Sequence, residues 1–332
     1  MSNPSDVARL AHRFLPYVAN TVTSEEIVAS RVQRYEPAIN PNLEVYDELG
    51  SVDPTGYASD APEFRITLEE NVHDCDLDMV LAGLDPAGLI TTWQLADYIN
   101  DGNIKLNLLE RNNAGTIIGE SEFGSGVLTE IAWSWRMGQA ITAQYAFIAR
   151  YGKRYKAANV VHATWGATSA TAPGGIKIKD ARLFLGGTAA GNRVYRLQSF
   201  SLRHTFRAEV HREAGNRALV GATVHVPTTR LDIELLAADG QPDDILFHDA
   251  TTYYDYASTN LLAANAIRIY DPSAAEGTTV LRAWSIENLV PGDASPVQAQ
   301  VRSSATKRYS LSLPKATTAG SSGVILYSGD IV

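Results

Sequence analysis

A single cysteine, Cys75, leaves this chain without an internal disulfide and without a cysteine-rich zinc site, so the thiol is expected to act as a small buried hydrophobe. No apolar run reaches the length that crosses a bilayer. The opening residues, MSNPSDVARLAHRF, also lack the basic start, apolar stretch and cleavage site of a secretory signal. The expectation is a soluble chain with no export signal and no membrane partner. Catalytic signatures are missing as well: there is no HExxH, GxSxG, GxGxxG or P-loop. GGTAAG at 186–191 is glycine-rich, but it lacks the Lys-Ser/Thr ending and reads as a hairpin loop. Asp74, Asp76 and Asp78 in DCDLD approach a calcium loop. Met79 stands where that loop needs glycine and Asp85 where it needs a bidentate glutamate, so a solvated helix entrance is expected instead. His204, His211 and His225 carry no metal-ligand spacing and read as surface or packing histidines. Glu44 and Glu48 could be drawn as a glycosidase pair, but such pairs occur in any acidic β protein. The chain is therefore expected to be no enzyme and to use no cofactor or metal.

What the chain does have is internal repetition. The segment Arg31–Glu70 lies over Arg196–Leu235 without a gap, at a constant offset of 165 residues (196 less 31). Identical pairs are Arg31/Arg196, Gln33/Gln198, Glu44/Glu209, Val45/Val210, Glu48/Glu213, Gly50/Gly215, Gly56/Gly221, Pro62/Pro227, Arg65/Arg230 and Glu69/Glu234. An offset of half the chain implies tandem domains of globular size rather than a solenoid. The division expected is 1–165, a linker at 166–175 (GATSATAPGG), and 176–332. KATTAGSSG at 315–323 reads as a flexible approach to a terminal strand, ILYS. Charge separates the halves. Residues 1–165 hold 22 acidic against 12 basic side chains, and residues 166–332 hold 15 against 16. The first half is acidic and the second nearly neutral, which suits a negative surface on an assembly or complementary surfaces between copies. Neither half offers the concentrated basic patch of a nucleic-acid grip.

Along the chain the pattern is mainly strand. Segments rich in β-branched and aromatic residues fall at Val32–Glu36, Leu43–Leu49, Phe64–Glu69, Ile104–Leu109, Thr116–Glu120, Val127–Trp135 and Ala140–Ala149. In the second half they fall at Lys177–Leu185, Val194–Leu202, Phe206–His211, Arg230–Leu236, Ala266–Tyr270, Thr279–Ile286, Val297–Arg302 and Arg308–Leu313. Segments 104–118 and 267–280 correspond at a slightly smaller offset. Phe64, Ile66 and Leu68 alternate with Arg65, Thr67 and Glu69, one face for the core and one for water. Helices are expected at Ser5–Asn20, capped by Ser5 and ended by Pro16, at Asp76–Ala82, and at Asp255–Ala264. Gly50 and Gly215 suit turns, and Pro62 and Pro227 suit strand openings. Glu44, Glu48, Arg65 and Glu69, with Glu209, Glu213, Arg230 and Glu234, are polar positions kept in strands. Arg65 is expected to pair with Glu44 or Glu48 across a sheet. Trp133 and Trp135 share a strand face; they could stack on a sugar or base, with core or subunit-interface packing the favoured use.

The pattern RVQxY…LEVYDELG…PEFRITLE, with its echo RLQSF…AEVHREAG…VPTTRLDIEL, resembles tail tube proteins of tailed bacteriophages. The resemblance implies two tandem tail-tube-like β-sandwich or barrel domains, each with a short flanking helix, with the long central hairpin of each at a ring interface. It implies a virion protein made in the host cytoplasm that assembles with itself and other tail proteins. Since such proteins usually carry one unit and form hexamers, two fused units imply trimeric, pseudo-hexameric rings. These would stack as a tube through which double-stranded DNA passes without specific binding. The alternative reading is a tandem β-module that binds carbohydrate or a cell surface, tied to Trp133 and Trp135.

Overall fold

The computed structural model describes residues 14–29, 32–40, 43–46, 56–59, 62–72, 75–86, 92–99, 102–112, 114, 116–161, 181–187, 190–213, 219–225, 227–236, 241–249, 254–259, 261–270, 280–298, 306–313 and 324–328. Glu48, Gly50, Gly215, the 166–175 linker and the 315–323 stretch lie outside these residues, as does the side chain of Glu44.

The first half runs β1 (Phe14–Asn20), β2 (Glu25–Val28), β3 (Val32–Asn40), β4 (Leu43–Tyr46), β5 (Gly56–Ser59), β6 (Glu63–Asn71), α1 (Asp76–Leu81), β7 (Thr92–Gln94), β8 (Ile104–Arg111), β9 (Ile117–Arg136), β10 (Thr142–Ala149) and β11 (Tyr151–Lys156). The second runs β12 (Ala181–Phe184), β13 (Arg193–Val194), β14 (Leu197–Thr205), β15 (Ala208–His211), β16 (Gly221–Val224), β17 (Thr228–Leu236), α2 (Gln241–Leu246), β18 (Phe247–Asp249), β19 (Tyr254–Thr259), β20 (Leu262–Tyr270), β21 (Val280–Gln298), β22 (Thr306–Leu313) and β23 (Val324–Ser328). The fold is mainly β. Seventeen strands are linked in one network, beside three two-stranded sheets, β4–β5, β15–β16 and β18–β19.

Five elements of the first half reappear 165 residues later with the same first and last positions: β3 as β14, β4 as β15, β5 as β16, β6 as β17 and α1 as α2. Their register agrees too. The bulge that breaks β3–β6 pairing between Val32 and Arg34 recurs in β14–β17 between Leu197 and Ser199. At the centre is an antiparallel sheet of order β3–β6–β10–β9–β14–β17–β22–β21, in which β9–β14 joins the two halves. The halves therefore share a sheet instead of standing as separate sandwiches. Beside it lie β2–β1–β8–β9–β11 and β13–β12–β20–β21–β23–β7.

The long strands β9 and β21 belong to two sheets each. Ser125 (φ 50) and Asn288 (φ 56) take left-handed conformations where each strand passes from its flanking sheet into the central one. Thr116–Glu120 and Val127–Trp135, expected as separate strands, are thus parts of β9, and Thr279–Ile286 runs on through β21. The intervening glycines do not stop the ladder, because Gly124 lies against Tyr151 and Gly126 against Ile104 of the neighbouring strands. Gly124 faces Tyr151 across the strand pair, and a β-carbon there would collide with the tyrosine ring. Gly124→Val is expected to displace Tyr151 from Glu122, which it bonds at 3.1 Å, and to cost about 1–3 kcal/mol in urea unfolding.

Two expected helices are strands over their described residues. Phe14–Asn20 is β1, since its aromatic and β-branched residues pair with β8 along its whole length and with β2 from Tyr17 onward; residues 1–13 lie outside the described set. Asp255–Ala264 falls in β19 and β20, because Leu262 to Tyr270 pairs along β21 and, from Ala266, along β12. Helix α1 does form where expected. Its end is set by Gly83 (φ 76), with Gly83 N–H bonding Val80 O at 3.0 Å and Leu84 N–H bonding Met79 O at 2.8 Å. It buries Leu77, Met79, Val80 and Leu81.

Candidate functional site

The seam where the halves meet holds a cluster of buried aromatic and polar side chains. Along it Arg136 pairs with Ser199, Trp133 with Leu202 and Glu130 with Thr205. The inward-facing side chains are large. Trp133 is fully buried, with Trp284 at 5.6 Å and His204 at 5.4 Å between ring centroids, and Trp135 packs on Phe200 at 5.9 Å. With both tryptophans buried, neither presents a face to a sugar or base. The Arg282 guanidinium lies 5.5 Å from the Trp133 ring and 5.1 Å from the Trp284 ring, within cation–π range.

Arg282 comes from the second half and ends on Asp78 of the first, in a buried ion pair with side-chain exposures of 4% and 1%. Asp78 Oδ1 also accepts hydrogen bonds from Tyr145 at 3.0 Å and Tyr98 at 3.3 Å, and Trp93 Nε1 donates to the Tyr98 hydroxyl at 2.8 Å. Burial raises both phenols well above their ordinary pKa, so they remain donors through the neutral range. The helix entrance expected to be solvated is thus, at Asp78, a dry ion-pair site. A carboxylate so deep persists because its oxygens are shared among one cation and two hydroxyls.

The second half repeats this arrangement. Asp243, which is Asp78 moved by 165, accepts from Tyr309 at 2.7 Å through Oδ1 and from Lys307 at 2.6 Å through Oδ2. The tyrosine stands in the same strand position, Tyr145 in β10 and Tyr309 in β22. The cation does not. Lys307 belongs to the half that holds Asp243, whereas Arg282 crosses over.

Comparison with known proteins adds one likeness. No family model matches the chain, and no curated protein does. A solved chain from the six-fold symmetrised cryo-EM structure of the anti-feeding prophage (AFP) baseplate matches with a TM-score of 0.32 and 12% identity, over 47% of this chain and 99% of that one. At that score the likeness bears on neither fold nor function.

The sequence-singled positions fall mostly elsewhere. Pro62 and Pro227 stand one residue before β6 and β17. Arg65, Glu69, Arg230 and Glu234 lie on the solvent-facing side of the central sheet, and three of them have partners of opposite charge. Arg65 Nε bonds Glu63 at 2.5 Å, Arg230 bonds Asp232 at 3.0 Å, and Arg308 bonds Glu234 at 3.2 Å. The expected partners of Arg65 lie outside the described residues, Glu48 entirely and Glu44 in its side chain; Arg65 bonds Glu63, two residues before it on the same strand. Glu209 is exposed beside Arg207 and His225, and Glu213 is exposed. The same face pairs Arg34 with Glu36 and Arg203 with Glu130. Among the described residues no cluster of His, Cys, Asp and Glu could hold a metal.

The correspondence of Asp78 with Asp243 lies past the ten-position match, which ends at residue 69. Carrying the offset nine residues further would have aligned Asp78 with Asp243.

His204 gives the seam a pH dependence. Its Nδ1 lies 2.8 Å from Thr229 Oγ1, its Nε2 is buried without a hydrogen-bond partner among the described residues, and burial lowers its pKa from 6.5 to about 3. Above pH 6.5 the ring is neutral folded or unfolded. Below it the unfolded chain takes up a proton that the fold refuses, so stability falls by about 1.4 kcal/mol per pH unit until pH 3 is approached. Urea midpoints from pH 7 to pH 4.5 should show this slope reduced in His204→Gln.

Proposed function

We propose that this chain is a structural, self-assembling protein of a phage-type tail, forming stacked rings that enclose a channel. The observation that carries the reading is the central eight-stranded sheet. It runs through both halves with matching strands in matching register, and ends on two strands, β3 and β21, that each have one neighbour in that sheet. A sheet built of two similar four-strand blocks, with open edges of opposite ends, continues by adding further copies in the same sense. Such head-to-tail contacts close into rings when the rotation permits. With two blocks per chain, three chains would supply the six blocks of a pseudo-hexameric ring.

The solvent-facing side of this sheet is the proposed channel wall. Four of its arginines are matched by carboxylates in the pairs Arg34–Glu36, Arg203–Glu130, Arg230–Asp232 and Arg308–Glu234. Arginines engaged in this way do not line up as a phosphate grip, and a wall of that kind lets DNA pass without holding it. The duplication into units 1–165 and 176–332 is part of the same proposal, as is assembly with other tail proteins in the virion. The carbohydrate-binding alternative, drawn from Trp133 and Trp135 and from the acidic first half, loses its stacking surface with the burial of both tryptophans.

Negative-stain imaging and mass photometry of purified protein test the proposal. Rings or tubes of constant diameter with three chains per ring are expected. A chain that stays monomeric at high concentration would sink the reading.

A further inference from the structure

Among the described residues, β14 lies between β17 and β9, whereas β3, its equivalent 165 residues earlier, pairs with β6 alone. At the other end of the sheet, residues 130–136 of β9 lie between β10 and β14, whereas the last part of β21 pairs, among the described residues, with β22 alone. One junction is made, and among the described residues the two sides of its equivalent have no second strand. We propose that chains join by strand addition, residues 293–298 of β21 in one copy lying along β3 of a second copy, and that this seam is chemically unlike the seam inside the chain. The proposal rests on the ring reading and specifies its contact.

The register follows from the internal seam. There Arg203 faces Ala132, and Ala132 faces Gln144 of β10. Ser295 holds the place of Ala132, since it faces Arg308 of β22, and Ala38 holds the place of Arg203. Ala38 of one copy should therefore oppose Ser295 of the next, with Asn40 opposite Asp293.

Exposed apolar surface lies where this predicts. Ile39 is 61% exposed, while His204, at the same position of β14, is 0% exposed under Trp133. A groove of about 290 Å³ beside β3 is lined by Phe14, Pro16, Val32, Tyr35 and Leu108. The Tyr35 hydroxyl is buried there without a hydrogen-bond partner among the described residues, although the ring as a whole is partly exposed. Each open edge also contains proline, Pro37 in β3 and Pro291 and Pro296 in β21. The missing N–H groups disfavour indiscriminate strand pairing.

The seam differs because its anchors are absent. The kinks at Ser125 and Asn288 set an offset of 163 between β9 and β21. At that sequence offset Trp133 becomes Pro296, while Arg282 and Trp284 become Gly119 and Ser121; past Ser295 the register on β22 slips by one residue, and Gln298 faces Thr306 in the place of Ser134 opposite Thr142. No arginine would cross to Asp243, and Asp243 already has Lys307 from its own half. The lysine thus marks the aspartate that receives nothing from a neighbour. Assemblies should accordingly separate between chains while each chain stays folded.

Ala38→Cys combined with Ser295→Cys tests this, because directly opposed antiparallel residues lie within disulfide reach. Oxidation of assembled protein should give a ladder of linked chains on non-reducing gels, whereas Ala132→Cys with Arg203→Cys should give only an internal link. Ile39→Lys, at an exposed site, should raise the concentration needed for assembly at least about tenfold and leave the monomer's unfolding curve unchanged. Rings without the interchain link, formed while the control pair oxidises, would overturn the seam and leave the ring reading standing. Assembly of Ile39→Lys at the wild-type threshold would do the same. A wild-type chain that never assembles would overturn both.

Discussion

Arg282→Ala should lower the unfolding free energy by about 3–5 kcal/mol, measured as a shifted urea midpoint with little change in slope. The variant leaves Asp78 at 1% side-chain exposure with no cation, held only by the Tyr98 and Tyr145 hydroxyls. Urea is the denaturant of choice because guanidinium would screen the charge being measured. The pair itself contributes much less than this loss, since burying both ions cancels much of their attraction. Asp78→Asn combined with Arg282→Met should therefore recover most of it: the amide oxygen still accepts from the tyrosines, and the methionine fills the space between Trp133 and Trp284. A loss below about 1 kcal/mol for Arg282→Ala would show that the seam does not depend on this contact.

Trp133→Ala should cost about 3–5 kcal/mol, the range for emptying a large aromatic site in a closed core. The ring touches both halves, with Trp284 and His204 from the second half packed on it and Arg282 above it, so collapse would have to move two sheets. Its indole N–H is buried without a hydrogen-bond partner among the described residues, so that polar atom adds nothing to stability. Trp133→Phe should then cost less than half as much. Thermal melts of the two variants measure the difference. A Trp133→Ala loss no larger than that of Trp133→Phe would mean that the seam is plastic.

These costs also explain what could be read from the chain beforehand. Alternation in segments such as FRITLEE identifies strands because the period of two is imposed locally, and β6 buries Ile66 and Leu68 accordingly. Phe14–Asn20, the described part of the Ser5–Asn20 stretch, and Asp255–Ala264 suit a helix as well as a strand in sequence because short apolar runs fit either period. Pairing with β8 in one case and with β12 and β21 in the other decides between them. The Gly-bearing centre of β9 looked like a break because Tyr151, which covers Gly124, lies 27 residues away (151 less 124). The seam was harder still. Trp133 and Trp135 were visible as a pair on one face, yet nothing in IAWSWRMG says that the covering residues are Phe200, His204 and Trp284. Arg282 carries no local sign of its role; its partner is 204 residues away.

That separation has a consequence for synthesis. The ribosome releases Asp78 long before Arg282, and Trp93 before Leu326, its partner in the β7–β23 pairing. A nascent first half must therefore wait with a buried-type carboxylate uncompensated and the β9 edge bare until the second half emerges. Such long-range closure slows folding and leaves an intermediate exposed to misassociation. Fusing the halves shortens that wait to a single chain's elongation time, since the missing partner arrives tethered and at high local concentration.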